Sequence, residues 1–355
     1  MSEGLEGVVA ARTVLSHTDS AAGMVWVRGV AIPDLVPLGF EGTVALLWNG
    51  FAGDGLTGGT IRARFGAART AAFERLTPWW FAAAAARPPL EALRLALAEQ
   101  PDASTPEDLV AALTVAVGAI RRAGGGTAPV PPDPDLGTAA DLLRMTHGAP
   151  ADPVAIQALD TYFAVMAESG LSGSSFTARI IASTHASLAA SVLGAWCAFT
   201  GPRHGGAPGP TLDMLDAAAA VPDDALEDWL VAKLAAGERL MGFGHRVFRG
   251  NDPRAEAMRT ALQRFGPAAA RVAFAARLEQ AVGRAIARVK PGRALPPNVE
   301  VMAALLLDAV GFPRAAFTPV FAVGRSAGWI AHALEQRAGG RMIRPTSEYV
   351  GPPAG

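Results

Sequence analysis

The chain has 355 residues, of which 50% are hydrophobic and 18% charged, and its formal net charge at pH 7 is −1. This composition excludes an intrinsically disordered chain, and the length allows two domains. The balanced charge excludes the strongly basic footprint of a protein that binds nucleic acid or an anionic membrane surface.

Residues 1–35 carry the β signals of the sequence. Two runs of β-favouring residues, 8–15 and 24–30, flank a turn-rich segment at residues 17–23. The first seven residues, Met-Ser-Glu-Gly-Leu-Glu-Gly, lack the basic and apolar regions of a signal peptide. We therefore expect a small N-terminal β-hairpin.

Helix signals dominate the rest of the chain. A capping side chain followed by proline recurs at Thr105-Pro106, Asp152-Pro153, Asp252-Pro253 and Thr318-Pro319. Apolar residues recur at helical spacing after the first two of these pairs. The predicted fold class is therefore mainly α.

Three stretches qualify this pattern. Residues 124–134 and 290–297 are rich in glycine or proline and are predicted connectors, the second of them basic. Residues 180–202 carry no charged side chain and are long enough to cross a bilayer. Alanine is the commonest of these residues and several others carry a hydroxyl group, which favours a helix buried inside a helical protein. We therefore expect a buried helix and no membrane span.

Cysteine content indicates the compartment and the metal chemistry. Cys197 is the single cysteine, so the sequence provides neither an internal disulfide nor a cysteine-based metal site. A reducing cytoplasm is the compartment that we expect.

Two histidines lie in glycine-rich segments. His204 lies in residues 201–207, and His245 follows Gly242 and Gly244 and precedes Arg246. Glycine allows a backbone to approach a ligand closely, which makes both histidines candidates for a site. For His204 the alternative is a glycine-rich turn with an incidental histidine.

Two arginines and one glutamate stand in unusual positions. Arg254 falls in the first turn of a predicted helix, where it opposes the helix dipole, and it either binds an anion or faces solvent. Arg325 is alone in an apolar run, so a structural ion pair or the carboxylate of a ligand must compensate its charge. Glu300 opens an apolar helix, either as a common N-terminal charge or as a general base.

Together and in order, these patterns resemble the citrate synthase family, including the bacterial 2-methylcitrate synthases, over nearly the whole chain. The resemblance is carried by residues 4–11 (GLEGVVAA), 45–50 (ALLWNG), 132–136 (PDPDL), 175–179 (SFTAR), 201–206 (GPRHGG), 242–248 (GFGHRVF), 298–300 (NVE), 317–323 (FTPVFAV), 328–332 (GWIAH) and 343–345 (IRP).

The resemblance implies a two-domain helical homodimer. The large domain would comprise residues 1–208 and 311–355 and the small domain residues 209–310, with a cleft between them that closes on oxaloacetate and then binds acyl-CoA. The implied reaction condenses acetyl-CoA or propionyl-CoA with oxaloacetate or a related 2-oxo acid, and then hydrolyses the thioester. The CoA thioester is a substrate, and neither a further cofactor nor a metal is implied.

The resemblance also implies residue roles. His204 would stabilise the enol of the thioester, His245 would polarise the keto group, and Glu300 would remove the methyl proton. Arg254, Arg325 and Arg344 match the carboxylate-binding arginines of the family. The partner subunit would supply Arg344. The implied contacts for CoA are Gly242, Gly244, Arg246, Lys290 and Arg293.

Two departures from the family fall in the implied active site. Glu300 stands where the family normally has aspartate, and Ser169 stands at the place of an oxo-acid-binding histidine. Serine can still donate one hydrogen bond, but it carries no charge. A second interpretation therefore stays open: a non-catalytic relative that binds CoA or a dicarboxylate, or that pairs with an active subunit.

Overall fold

The structure is a computed structural model that describes residues 3–5, 7–20, 22–202, 204–244 and 252–352. Most of these residues are helical, which confirms the predicted fold class. The helices are α1 (Ile32–Leu35), α2 (Gly39–Trp48), α3 (Gly58–Glu74), α4 (Pro78–Ala85), α5 (Pro89–Ala98), α6 (Pro106–Gly124), α7 (Thr138–His147), α8 (Pro153–Met166), α9 (Gly173–Ser183), α10 (Leu188–Phe199), α11 (Pro208–Ala219), α12 (Leu226–Ala235), α13 (Pro253–Gln263), α14 (Ala269–Val289), α15 (Val299–Ala309) and α16 (Phe317–Gly339).

A three-stranded antiparallel sheet takes the place of the predicted hairpin. Its strands are β1 (Ser16–Asp19), β2 (Met24–Val27) and β3 (Val30–Ala31), in that order. The prediction of a strand over residues 8–15 was wrong, because Val8, Val9 and Val14 are exposed and form no buried face. The strand instead starts at Ser16, whose hydroxyl donates to Oε1 of the buried Glu168 at 2.9 Å.

Three of the four predicted helix starts are confirmed. Thr105, Asp152 and Asp252 each accept a hydrogen bond from a backbone N–H in the first turn of α6, α8 and α13 respectively. The fourth was wrong, because α16 begins at Phe317 and includes Thr318. The hydroxyl of Thr318 donates instead to the carbonyl of Gly205 at 3.0 Å. This bond ties α16 to the turn that carries His204.

The uncharged stretch 180–202 forms two helices, not one. Helix α9 ends at Ser183, His185 adopts a positive φ of 61° in an exposed turn, and Ser187 caps α10. No single helix within the described ranges is long and apolar enough to cross a membrane. By length and composition alone, α15 and residues 314–339 pass that test together, although they are bent by 119° to one another.

Helix α16 forms the centre of the core. Every residue from Phe317 to Ala333 is buried, and the helix packs against α6, α8, α9 and α10. Helix α13 packs against both α8 and α15. This packing brings the start of α13, the start of α15 and the loop after α8 to one region beside α16. The division into domains at residues 208 and 310 stays a prediction.

Candidate active site

Five structural elements meet at one site. The contributing elements are the start of α9, the turn after α10, the starts of α13 and α15, and the middle of α16. They bring together His204, Arg254, Glu300 and Arg325, which the sequence predicts as site residues. The charge of Arg325 affects the pKa of both His204 and Glu300, and Arg254 also affects that of Glu300.

His204 is held as a neutral imidazole. Its Nε2 accepts a hydrogen bond from the backbone N–H of Ser174 at 3.3 Å, and Nε2 lies 2.8 Å from the Ser174 hydroxyl. Burial, assisted by the charge of Arg325, lowers the pKa of His204 to about 4. A lone pair at Nε2 places the single proton of the neutral ring on Nδ1. Nδ1–H makes no hydrogen bond among the described residues, so it is available as a donor.

Glu300 is a partly buried residue whose carboxylate has no hydrogen bond at Oε2. Its backbone N–H donates to Oδ1 of the cap residue Asn298 at 3.0 Å, and Asn298 N–H donates in turn to the Gly242 carbonyl at 2.9 Å. Oε2 is buried and has no partner in the described part of the chain. Burial raises the pKa of Glu300 to about 7, although Arg254 and Arg325 favour its charged form. A carboxyl group with a pKa near 7 is well matched to general-base chemistry at neutral pH.

Arg254 is buried, so the alternative in which it faces solvent was wrong. Its guanidinium donates to both carboxylate oxygens of Asp252, from Nε at 3.0 Å and from Nη2 at 2.6 Å. Nη1 donates to the Ser169 hydroxyl at 2.9 Å. The side chain of Asp252 thus offsets the unfavourable position of a cation in the first turn of α13. Ser169 is one of the two positions that differ from the family, and it is in direct contact with a predicted carboxylate-binding arginine.

Arg325 presents a free guanidinium fork. It is 3% exposed, its Nε donates to the Met166 carbonyl at 2.7 Å, and the guanidinium lies 4.8 Å from the centre of the Phe321 ring. Its Nη atoms make no hydrogen bond and no ion pair within the ranges described above. Burial lowers the pKa of Arg325 to about 10, so the group stays charged at pH 7. No ion pair to Arg325 is found among the described residues, although the charge of the buried Glu168 favours its charged form. The binding of a ligand carboxylate by Arg325 stays a prediction.

Sequence reasoning missed three residues that organise the site. Ser174 contacts His204, and the Trp329 indole N–H donates to the Ser174 hydroxyl at 3.0 Å. Glu168 is buried and accepts hydrogen bonds from the Gly170 N–H at 2.6 Å and from His332 Nε2 at 3.1 Å. Burial opposes the charge of Glu168, but His332 and Arg325 keep its pKa below the usual value. The only sequence signal was that Trp329 and Ser174 lie in or beside segments that resemble the family.

Several predicted CoA contacts line one cavity. Gly244, Lys290 and Arg293 line a cavity of about 760 Å³ between the α12–α13 connection and the end of α14. Gly242 lies beside it with a positive φ of 86°, and a Cβ there would come within 2.8 Å of Thr211 and Val301. Glycine is therefore required at this position by both conformation and space.

Other predicted residues are not placed in the site. Arg344 is exposed in the C-terminal segment after α16, which has no regular structure there, and a single chain does not bring it to the other arginines. The neighbouring Ile343 N–H donates to the Ser183 hydroxyl at 3.0 Å. His245 and Arg246 lie outside the described residues, so their roles stay predictions.

The site thus combines a neutral histidine with a free N–H, a carboxylate that has no hydrogen bond at Oε2, and buried arginines within a helical fold. The family model described as "Citrate synthase, C-terminal domain" matches residues 4–346. The chain therefore belongs to the citrate synthase family.

Individual relatives agree with this assignment. The chain is 37% identical over 366 residues to "Putative citrate synthase 2" of Mycobacterium tuberculosis strain H37Rv, which covers 98% of this chain and 92% of that protein. It is 32% identical over 369 residues to the 2-methylcitrate synthase of the same strain, with coverage of 99% and 91%. The crystal structure of citrate synthase from Thermotoga maritima MSB8 matches with a TM-score of 0.84 and 28% identity, and covers 99% of this chain and 96% of that one.

Proposed function

We propose that this protein condenses acetyl-CoA or propionyl-CoA with oxaloacetate or a related 2-oxo dicarboxylic acid. The products are citrate or a citrate analogue and free CoA. One observation carries the proposal: the site combines a neutral imidazole that can donate from Nδ1 with a carboxylate that has no hydrogen bond at Oε2 and a pKa near 7. These two groups are what the enolisation of a thioester needs.

The acceptor would bind first, to the arginines. A 2-oxo dicarboxylate carries two negative charges, and the free fork of Arg325 suits bidentate binding of one carboxylate. Arg254 would add a second positive charge to the acceptor site, and its Nη1 donates to the Ser169 hydroxyl at 2.9 Å. Arg344 from a partner subunit would complete the set, which is why we propose a homodimer. His245 would polarise the keto carbonyl.

Enolisation follows when the acyl-CoA enters. Glu300 accepts a proton from the carbon next to the thioester carbonyl, and Nδ1–H of His204 donates to the carbonyl oxygen as negative charge develops there. The enol carbon then forms a bond to the keto carbon of the acceptor, whose oxygen takes up a proton. Water hydrolyses the thioester and releases CoA. The thioester is consumed as a substrate, and the proposed reaction uses no further cofactor.

The cavity beside Gly244 would receive part of the coenzyme. Lys290 and Arg293 supply two cations at its edge, which suit the phosphates of CoA. The segment that contains Gly242 and Gly244 is also bonded to Asn298, since the Asn298 side chain donates to the Gly244 carbonyl at 3.3 Å. This contact joins the proposed CoA cavity to the start of α15, where Glu300 lies.

We propose that the reaction takes place in the cytoplasm, which suits a chain with a single cysteine.

Thiol release tests the proposal directly. The purified protein is mixed with acetyl-CoA or propionyl-CoA and a panel of 2-oxo acids that includes oxaloacetate, and free CoA is measured with a thiol reagent. We expect release that needs both substrates and that is lost in Arg325→Leu. Absence of release with every pair would refute the proposal. If oxaloacetate still raised the melting temperature in that case, the non-catalytic interpretation would replace it.

A further inference from the structure

We infer that Trp329 is a positioning residue, which fixes the tautomer and the orientation of His204 through the hydroxyl of Ser174. This inference rests on the proposed function, because it assigns the donor from which the thioester oxygen would accept a hydrogen bond. The three side chains form a continuous hydrogen-bonded series. The Trp329 indole lies 3.0 Å from the Ser174 hydroxyl, which lies 2.8 Å from Nε2 of His204.

The direction of each hydrogen bond follows from the chemistry of the groups. Nε2 of His204 faces the backbone N–H of Ser174 at 3.3 Å and must therefore carry a lone pair. The Ser174 hydroxyl lies even closer to the same lone pair, so it must donate its proton there. An indole N–H can only donate. The Ser174 hydroxyl consequently accepts from Trp329 and donates to His204, so each hydrogen bond of the series has one possible direction.

Trp329 removes an alternative orientation of the serine hydroxyl. Ser174 Oγ also lies 3.2 Å from the hydroxyl of Ser172, to which its proton could rotate. Acceptance from Trp329 occupies one lone pair of Ser174 and polarises its O–H bond, which strengthens donation to His204. Without the indole N–H, the Ser174 proton can divide between two acceptors, and Nε2 of His204 is held less firmly as an acceptor.

Packing makes the indole a fixed reference point. Trp329 is fully buried and lies one helical turn after Arg325 on α16. Its ring contacts the edge of Phe199 with centroids 5.2 Å apart, and Phe199 contacts His204 with centroids 5.0 Å apart. The same helix is tied to the His204 turn through Thr318. The donor therefore has a fixed position relative to the imidazole.

The test compares Trp329→Phe with a matched control. Phenylalanine keeps an aromatic ring beside Phe199 but removes the N–H. Trp48→Phe is the control, because Trp48 is equally buried and its indole donates one hydrogen bond of 3.0 Å to the Ala327 carbonyl, away from His204. Both variants lose one buried indole bond, so a general loss of stability affects both.

Two readouts separate positioning from structure. Long-range ¹H–¹⁵N spectra of histidine-labelled protein report which ring nitrogen of His204 carries the proton, without any turnover. We expect an Nδ1–H tautomer in the wild type and in Trp48→Phe, and a partial shift towards Nε2–H in Trp329→Phe. In the thiol-release assay we expect kcat to fall about tenfold in Trp329→Phe, with the KM of the oxo acid unchanged, and less than about twofold in Trp48→Phe.

Ser174→Ala covers the case in which Trp329→Phe folds poorly, because it interrupts the same series and leaves Trp329 in place. Where both variants fold, a double-mutant cycle adds a second test. Ser174→Ala should reduce kcat at least as much, and the double variant should be no worse than Ser174→Ala alone, because both changes remove the same series. An Nε2–H tautomer in the wild type, equal kcat values for Trp329→Phe and Trp48→Phe, or additive effects in the cycle would each overturn the inference. If no substrate pair turned over, the proposed function would fail, and the tautomer spectra would still decide the hydrogen-bond series.

Discussion

Replacement of Glu300 by glutamine should strongly lower the activity and stabilise the protein. Burial raises the pKa of this carboxyl from its ordinary 4.5 to about 7. Each pKa unit corresponds to about 1.4 kcal/mol, so ionisation of Glu300 in the folded protein costs about 3 kcal/mol above pH 7. The cost is absent below pH 4.5, where the side chain is protonated in both states, and it grows as the pH rises to 7. Glutamine has nearly the same shape and never ionises.

The assay is thermal unfolding of both proteins at pH 5 and pH 8. At pH 8 the free energy of unfolding of Glu300→Gln should exceed that of the wild type by up to about 3 kcal/mol, a rise of several degrees in Tm. At pH 5 the difference should fall to below about 1 kcal/mol. Loss of the general base should lower kcat by roughly 10² to 10⁴.

A surface substitution controls for the change of residue type. The Glu256 side chain is 60% exposed and makes a weak contact with Arg259, so Glu256→Gln should alter neither Tm nor kcat at pH 8. If Glu300→Gln were no more stable than the wild type at pH 8, the carboxylate would not be buried and unpaired as the structure has it. The case for a tuned base would then fail.

Three further predictions concern the same site. The value of kcat/KM should be constant above about pH 7 and fall about tenfold per pH unit below it, because only ionised Glu300 accepts a proton; a flat profile from pH 5.5 to 8 would contradict this. His204→Gln should lower kcat by about 10² to 10³, as expected for loss of one oxyanion donor, and steady-state kinetics should show little change in the KM of the oxo acid. The double variant Lys290→Ala with Arg293→Ala should raise the KM of acyl-CoA about tenfold and leave that of the oxo acid unchanged; an unchanged KM for acyl-CoA would place the coenzyme elsewhere.

Local signals in the sequence predicted much of the helical fold. Thr105, Asp152 and Asp252 each cap a helix through residues next to them in the chain. These helix starts could therefore be predicted from the sequence alone. Thr318 has the same local pattern, but its hydroxyl bonds to Gly205, which is 113 residues away in the chain. Strand β1 was also misplaced: it begins at Ser16, whose hydroxyl bonds to the distant Glu168, a contact that the local pattern does not contain.

The residue types of the site were predictable, but their electrostatics were not. A lone arginine in an apolar run indicated that Arg325 is buried. The pKa of Glu300 near 7 and that of His204 near 4 depend on burial among helices that are distant in sequence. The hydrogen bonds of Ser174 and Trp329 likewise depend on the packed structure, and the proposed role of Arg344 would require a second chain.

Hydrogen exchange into the acyl-CoA tests the central claim most directly. The enzyme is incubated in D₂O with acetyl-CoA and a 2-hydroxy dicarboxylic acid, which fills the acceptor site but has no keto carbon to attack. The recovered acetyl-CoA is then analysed by mass spectrometry. If His204 and Glu300 enolise the thioester, the wild type incorporates deuterium into the methyl group and Glu300→Gln does not. Equal incorporation by both proteins, or none by the wild type, would contradict this account of the site.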